Sequence, residues 1–324
     1  MSEARCRMAA GDAISRCESH ADIVLAGVRR RQTRPEHPRT DMTIIAVIVT
    51  YRRPTTLTQT LAGITSQSRP ADRIVVVDND ADDAVRDLLS DRPNVDYIAS
   101  PSNVGYGAAL ALGMRHARAV YDPAWYWLLD DDTPPAPDHV QKMLEIAHSS
   151  PHAPWVIANR GGRIQRGRIR HGFDNSDAVN LAQFTLVDGT LVSHKAVEAV
   201  GLPREDLFMM MEDIEYTTRI AAAGGTLLVQ ASEVNAMHLG SASSWRAFYQ
   251  ARNHLRIALD RRSAAYFWGW MYRMAALSLT DVRRGRWLSL RFRWWGALHG
   301  AMNRMGQDVH PRLLLAESGG QPED

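Results

Sequence analysis

The chain has 324 residues, 45% of them hydrophobic and 23% charged, with a formal net charge of +2. That length supports one large domain or two modest ones with an ample core, and the near-neutral balance excludes bulk nucleic-acid binding. The only cysteines, Cys6 and Cys17, exclude a disulfide framework or cysteine metal site in the body of the chain and fit a reducing compartment. The first 40 residues lack the apolar core of a secretory signal. No run reaches the roughly 18 uninterrupted apolar residues of a spanning helix.

Residues 1–41 are polar, rich in Arg and without sustained periodicity, and read as a disordered extension. A regular pattern starts after Met42. Thr43 to Val49 reads as a buried strand, Thr50 to Pro54 as a turn, and Thr55 to Ser66 as a helix with Leu57, Leu61 and Ile64 on one face. Arg73 to Val77 is a second strand ending in Asp78-Asn79-Asp80, residues 82–90 are helical, and Val95 to Ala99 is a third strand. The loop Asn103 to Gly107 leads into a helix to about Ala119. Next comes the strand Trp125 to Leu129, followed by three carboxylates, Asp130, Asp131 and Asp132, and a helix over 137–148. Alternating strands and helices predict parallel βαβ units. After residue 150 the alternation breaks. Residues 159–180 read as a mobile excursion, Phe184 to Val192 as strand-like, 194–200 as a short helix, Glu212 to Ala223 as a helix and Leu227 to Val229 as a last strand.

The run W-Y-W-L-L-D-D-D organises the rest. An apolar run of strand length belongs in a sheet covered on both faces, and ligands bind at the carboxyl ends of such strands. Side chains alternate along an extended chain, so Asp130 and Asp132 point the same way and can share a hard divalent ion. The alternative is a solvated acidic turn opening a helix. Asp78 can accept from a ribose hydroxyl or a base N–H, or simply terminate its strand. The glycines of N-V-G-Y-G permit close backbone approach, with a helix N-terminus behind them. The first turn, T-Y-R-R-P, has no glycine, which excludes a dinucleotide-binding fingerprint. Glu212-Asp213 reads as a general base beside Phe208 and three Met, or as an acidic pair favoured by the helix dipole. His238 is a ligand or a core histidine. Arg252 could hold phosphate through its guanidinium fork, or lie on a solvated helix face.

Taken in order, T-Y-R-R-P, V-V-D-N-D, N-V-G-Y-G, W-L-L-D-D-D, V-D-G-T-L-V-S and E-D-I-E-Y-T-T-R resemble the family 2 glycosyltransferases of GT-A fold over about residues 43–256. Within that family the chain looks most like bacterial rhamnosyl- and galactofuranosyltransferases of envelope polysaccharide assembly. The resemblance implies an α/β fold, a Rossmann-like, mostly parallel sheet with helices on both faces over residues 42–240, and an inverting transfer from a UDP- or dTDP-sugar. It implies nucleotide-sugar contacts from Thr50, Arg52, Asp78, Asn103, Gly105, Asp130, Asp131 and Arg252. It also implies Mn²⁺ or Mg²⁺ held by Asp130, Asp132 and His238, with Asp213 as the base. The processive members carry Q-x-x-R-W, whereas this chain has Gln250-Ala251-Arg252-Asn253, which points to addition of one sugar or few.

Residues 241–324 read as a helical, basic, Trp-rich region with a frayed tail from Glu317. Between Trp245 and Arg312 there are thirteen Arg, no Lys and three Asp. Trp and Arg together suit an in-plane amphipathic helix on the inner face of the plasma membrane, where a lipid-linked or saccharide acceptor would be met. The alternative is Trp packing on the catalytic domain. Two other functions stand beside the transferase: a metal-dependent phosphohydrolase, which needs an acidic motif on the first strand that T-Y-R-R-P lacks, and a non-catalytic nucleotide-sugar-binding scaffold.

Overall fold

Strand β1 (Ile44–Thr50) is buried at every position, because both of its faces are covered. In the computed structural model, which describes residues 43–173, 178–230 and 244–307, Ile45, Val47 and Val49 enter one core and Ile44, Ala46 and Ile48 another. That split is the two-residue period of a strand between two helical layers. The expected extension over 1–41, His238 and the tail from Glu317 lie outside the described residues.

The first half is parallel. β2 (Arg73–Asp78) and β4 (Trp125–Asp130) flank β1, and β3 (Val95–Ala99) pairs with β2. Helix α1 (Pro54–Thr65), opened by a Pro whose missing N–H costs nothing there, places Leu57, Leu61 and Ile64 on one face of the sheet. α2 (Asp83–Leu89) and α4 (His139–Ser149) cover the same face. α3 (Tyr106–Val120) covers the other, and its Gly113 lets the helix settle against Val47 and Val77. Each buried Val, Ile or Leu of these layers stabilises the fold by roughly 1.5–3 kcal/mol.

The second half adds β5 (Val156–Ala158), β6 (Gly161–Gln165), β7 (Arg168–His171), β8 (Asn180–Ala182), β9 (Phe184–Thr185), β10 (Thr190–Ser193) and β11 (Leu227–Val229). The main sheet has eight strands in the order β3-β2-β1-β4-β10-β5-β11-β8, and β10 runs antiparallel to both of its neighbours. α5 (His194–Val200) and α6 (Glu212–Ala222) complete the α3 side.

Two expectations change here. Residues 159–180 are not simply an excursion: β6 and β7 form a hairpin, with β9 as the third strand of a small sheet, and β8 closes the edge of the large one. The hairpin turns at Arg166 and Gly167, both with positive φ, the hand that matches strand twist. Its tip is fastened because Gly167 lies directly on the backbone of Ala265 and Gly269. Composition hides this, since the hairpin pairs mostly Gly, Arg, Gln and His and its third strand lies further along the chain. The expected strand from Phe184 to Val192 is also two strands. It breaks over residues 186–189, where Gly189 takes φ +73.

Three helices follow: α7 (Ser244–Asp260), α8 (Ala264–Arg283) and α9 (Trp287–Ala301). The tryptophans divide between the two expected roles. Trp270 is buried among Ala251, Leu255 and Met274 and Trp295 stacks on Phe292, whereas Trp268, Trp287 and Trp294 are more than half exposed. Among the described residues, no helix is long and apolar enough to cross a membrane.

Candidate active site

The strand order reverses between β1 and β4, and the carboxyl ends of β1, β2 and β4 meet there: Thr50 lies opposite Asp78 and Val49 opposite Asp130. Such switch points leave a crevice. Its floor is acidic. Asp131 turns into the protein, accepting from Thr50 Oγ1 at 2.7 Å and from Arg53 Nη1 at 3.3 Å, and its own carbonyl accepts from Thr60. Asp132 points outward and pairs with Arg53 at 2.7 Å. Asp130 precedes both in sequence and has different neighbours. Its carboxyl is pushed well above the ordinary range by burial and by Asp188, and its Oδ1 is buried with no hydrogen-bond partner.

Asp188 reaches this place through the antiparallel β10. Gly189 N–H donates to Leu128 O at 2.8 Å, so the preceding residue lies beside the end of β4. Asp188 Oδ1 accepts from Asp130 N–H at 3.1 Å, and Oδ2 from Arg160 at 2.8 Å. His139 braces the turn from below. It stacks on Trp127 with ring centroids 5.7 Å apart, and burial lowers its pKa, so the neutral ring bonds Gly189 O through Nε2 at 2.7 Å.

The opposite wall is the start of α6. Burial, then the neighbouring Asp213, pushes the Glu212 carboxyl well up, and Asp130 adds to that shift. Asp213 is pushed up to about 6 by burial, held back by the Ile214 N–H that donates to it at 2.7 Å and by the charge of Arg160. Tyr106, the first residue of α3, has its phenol buried near Asp130, Asp188 and Glu212, and burial followed by those charges raises its pKa. The Tyr106 hydroxyl, Asp130 Oδ1 and Glu212 Oε2 are all buried and without hydrogen-bond partners. One neighbourhood therefore holds three buried oxygens; the Tyr106 hydroxyl and the Asp130 carboxyl are close enough to interact, and Glu212 Oε2 is left for a ligand atom.

Several expected ligands make hydrogen bonds within the protein. Arg252 is fully buried, not phosphate-facing. It donates to Leu207 O at 3.1 Å, Gly306 O at 2.7 Å and Asn253 Oδ1 at 2.9 Å, and its guanidinium lies over Tyr249. Asn253 Nδ2 donates to the carbonyls of Leu207, Met209 and Met210 at 2.7–2.8 Å. The two residues clamp a loop in which Phe208, Met210 and Met211 all have positive φ, a conformation non-glycine residues resist. That clamped loop delivers Glu212 and Asp213. Gly105 is likewise used for packing. At φ +88, any side chain there would collide with the Phe208 backbone. Asn103 Oδ1 accepts from Gly105 N–H at 2.9 Å and from Asn79 Nδ2 at 3.0 Å, fixing the loop to the end of β2.

Asp78 is fully buried. It accepts from the N–H groups of Asp80 and Asp82 at 3.2 and 2.7 Å and from the Tyr97 hydroxyl at 2.9 Å, so it shapes its turn. The same holds for Thr50, whose hydroxyl is spent on Asp131. Arg52 is half-exposed and pairs with Asp80 at the rim. Reading along the chain missed Asp188, Arg160, Arg53 and Tyr106. Asp188 stood inside V-D-G-T, where Asp-Gly reads as a plain turn, and Arg53 was hidden by its neighbour Arg52.

Residues 45–188 match the model of the family described as glycosyl transferase family 2. Galactofuranosyltransferase GlfT1 of Mycolicibacterium smegmatis is 30% identical over 277 residues, covering 78% of this chain and 89% of that protein. The chain belongs to glycosyltransferase family 2. GlfT1 of Mycobacterium tuberculosis H37Rv is 32% identical over 199 residues, 56% of this chain and 65% of that protein. A crystal structure of GalNAc-T7 with UDP, GalNAc and Mn²⁺ superposes with a TM-score of 0.50 at 12% identity, over 67% of this chain and 48% of that one. That likeness is one of fold, spanning about half of the other protein. The fold is the GT-A type that the motifs implied, with a helical region following it.

The oxygen-rich pocket could take a hard divalent cation only with further oxygens from a substrate. Asp130, Asp132 and Asp188 offer carboxylates, one with an orphaned oxygen, and Mg²⁺-type ions are commonly held by one or two carboxylates together with substrate phosphates and water. Among the described residues no group of three His, Cys, Asp or Glu side chains is placed to hold an ion, and His238 lies outside them.

Proposed function

We propose that this glycosyltransferase inverts the anomeric centre of a nucleotide-diphosphate sugar, with galactofuranose as the donor sugar, and that Asp213 is its base. The observation that carries the reading is the pair of facing carboxylate groups with separate electrostatic roles. One wall, Asp130, Asp132 and Asp188, concentrates negative charge where a cation and a diphosphate belong. The other presents Asp213, whose pKa of about 6 leaves it ionised at neutral pH yet basic enough to accept a proton.

In the reaction, the acceptor hydroxyl oxygen forms a bond to the anomeric carbon as its proton passes to Asp213. The bond from that carbon to the diphosphate oxygen breaks, and the electron pair leaves with the diphosphate. A bound Mn²⁺ or Mg²⁺ would supply charge compensation for that leaving group. Glu212, its carboxyl pushed up by burial and by Asp213, favours the protonated form beside the base. Arg53 restrains Asp132, and Arg160 restrains Asp188 while keeping the Asp213 proton affinity in check. The Arg52–Asp80 pair flanks the nucleotide entrance.

What supports galactofuranose is 30% identity to a galactofuranosyltransferase over 89% of its length. The test is transfer to a soluble alkyl saccharide from UDP-galactofuranose, with dTDP-rhamnose beside it, in Mn²⁺, Mg²⁺ or EDTA. Metal-dependent transfer from UDP-galactofuranose, abolished by Asp132→Ala, is expected. Transfer from dTDP-rhamnose alone would replace the donor assignment, and undiminished turnover in EDTA would remove the metal.

The acceptor region is proposed to lie at a membrane surface. Support comes from Trp268, Trp287 and Trp294, all exposed, on the two helices that carry Arg283 and Arg291 and are joined by a turn holding Arg284 and Arg286. Trp suits the interface and Arg the anionic headgroups. The double variant Trp287→Ser, Trp294→Ser is expected to sediment with anionic vesicles several-fold less than the parent. Equal sedimentation would mean that these side chains do not touch lipid.

A further inference from the structure

The β6–β7 hairpin has two unlike faces. Ile164 and Ile169 stand opposite each other and pack inward on the cluster of Phe184, Leu207 and Met211. The alternate positions point outward, and they are basic. Arg163 stands directly opposite Arg170, Gln165 stands opposite Arg168, and Arg166 takes the turn. Arg163, Arg166, Arg168 and Arg170 are all exposed. Like charges directly opposite on an antiparallel pair destabilise it, yet among the described residues no carboxylate pairs with any of these arginines. Other exposed arginines of the chain behave differently: Arg52 pairs with Asp80, Arg86 with Asp83 and Arg115 with Glu205.

This basic face continues into an apolar one. Gly167 at the hairpin tip lies on the backbone of Ala265 and Gly269, and the Arg168 guanidinium carbon sits 3.6 Å from the centroid of the Tyr272 ring. The solvent side of α8 carries Trp268, Met271, Tyr272, Leu279 and Val282, all exposed and spaced as one helical stripe. No exposed charged residue interrupts the stripe between Trp268 and Val282, and exposed Arg283 and Arg284 close its far end. An apolar stripe with arginines at its margins suits a bilayer interface: the stripe enters the acyl boundary while the guanidinium groups stay among the phosphates.

We propose that the outward face of the β6–β7 hairpin, formed by Arg163, Arg166, Arg168 and Arg170, docks on the headgroup phosphates of an anionic bilayer, with the α8 stripe set into the interface beside it. A phosphate between Arg163 and Arg170 accepts from both forks and relieves their repulsion. This rests on the membrane reading of α8 and α9 and gives it a second, electrostatic arm. Because Arg160, just ahead of β6, holds Asp188 of the carboxylate pocket at 2.8 Å, a docked hairpin also sets that pocket against the lipid surface, where a lipid-linked acceptor would present its hydroxyl.

The test uses the full chain, sedimented with vesicles of phosphatidylcholine alone or with phosphatidylglycerol added, at low and high salt. The parent is expected to prefer the anionic vesicles and to lose that preference as salt screens the charges. Changing Arg163, Arg166, Arg168 and Arg170 together to Gln is expected to weaken anionic-vesicle binding by roughly tenfold or more. The same four changed to Lys should keep most of it. The double variant Arg163→Gln, Arg170→Gln removes only the opposed pair. It should melt at or above the parent and still bind several-fold less, so the test does not depend on the larger variant folding well. Transfer to a soluble acceptor is expected to be unchanged in all of them.

Both Gln variants sedimenting like the parent would overturn the proposal, and so would a parent indifferent to phosphatidylglycerol. A loss of binding to a short DNA duplex, with vesicle binding kept, would also overturn it and assign the face to nucleic acid. The failures are separable. If Trp287→Ser, Trp294→Ser weakens sedimentation and the Gln variants do not, the hairpin is wrong and the membrane reading stands. A parent that sediments with neither vesicle removes both, while turnover on a soluble acceptor reports on the transferase reading alone.

Discussion

Replacing Asp213 with Asn is expected to lower kcat by roughly 10²–10⁴-fold, the usual contribution of a positioned base, while raising stability at neutral pH. The sign follows from the shift. Asp213 has its folded pKa raised from 3.8 to about 6, so the folded chain binds this proton more tightly than the unfolded chain does. Stability from this group is therefore present below the ordinary carboxylate pKa, falls as pH rises from about 4 to about 6, and is absent above that. At neutral pH the charged carboxylate is a burden on the fold, and Asn removes it. Glu212 and Asp130 act in the same sense, since burial raises both. The acid limb of kcat is expected near pH 6, a property of the coupled Glu212–Asp213 pair, not near 4. Rates across the pH range and urea unfolding of both proteins check this. An Asn variant that turns over normally, or one that is less stable than its parent, would remove Asp213 from the role of base.

Arg252→Met should unfold more readily by roughly 3–5 kcal/mol, because charged hydrogen bonds and the carbonyls left behind each count for 1–3 kcal/mol. The guanidinium joins α7 to Leu207 and Gly306, across 45 and 54 residues of chain. Beside it, Asn253 binds three carbonyls of the loop that presents Glu212 and Asp213. Loss of the clamp should therefore show as a lower urea midpoint and a reduced kcat, with donor KM little changed. A phosphate-binding Arg252 would give the opposite pattern: KM raised and stability untouched. Measuring both quantities on one preparation separates the two.

Local pattern was sufficient for the first half of the fold. β1 to β4 and α1 to α4 alternate strand and helix in sequence with apolar residues at the matching period, so period and turn residues mark them without help from distant partners. Past residue 150 the strands are two to five residues long, and β6 and β7 carry Gly and Arg, with β6 buried only at Gly161 and Gly162 and β7 at no position. Such segments become strands when a neighbour arrives, and composition does not announce the neighbour.

The site divides along the same line. Asp130, Asp132 and Asp213 stood out along the chain because acidic residues adjoin long apolar runs, and folding brings them to one crevice. By contrast, Thr50, Asp78, Asp131 and Arg252 were polar residues at plausible positions whose hydrogen-bonding capacity is spent inside the protein. Side-chain satisfaction depends on what folds against a residue, and linear order does not record it. Asp188 is the converse case. An Asp-Gly turn became an acidic group beside Asp130 because β10 enters the sheet antiparallel next to β4. The sequence by itself determined the family, the parallel half-sheet and the acidic strand end, since these rest on contiguous apolar patterns and ordered motifs. Only the tertiary structure decided which carboxylates share a pocket and which arginine is a strut, because burial and long-range hydrogen bonds arise between segments far apart in the chain.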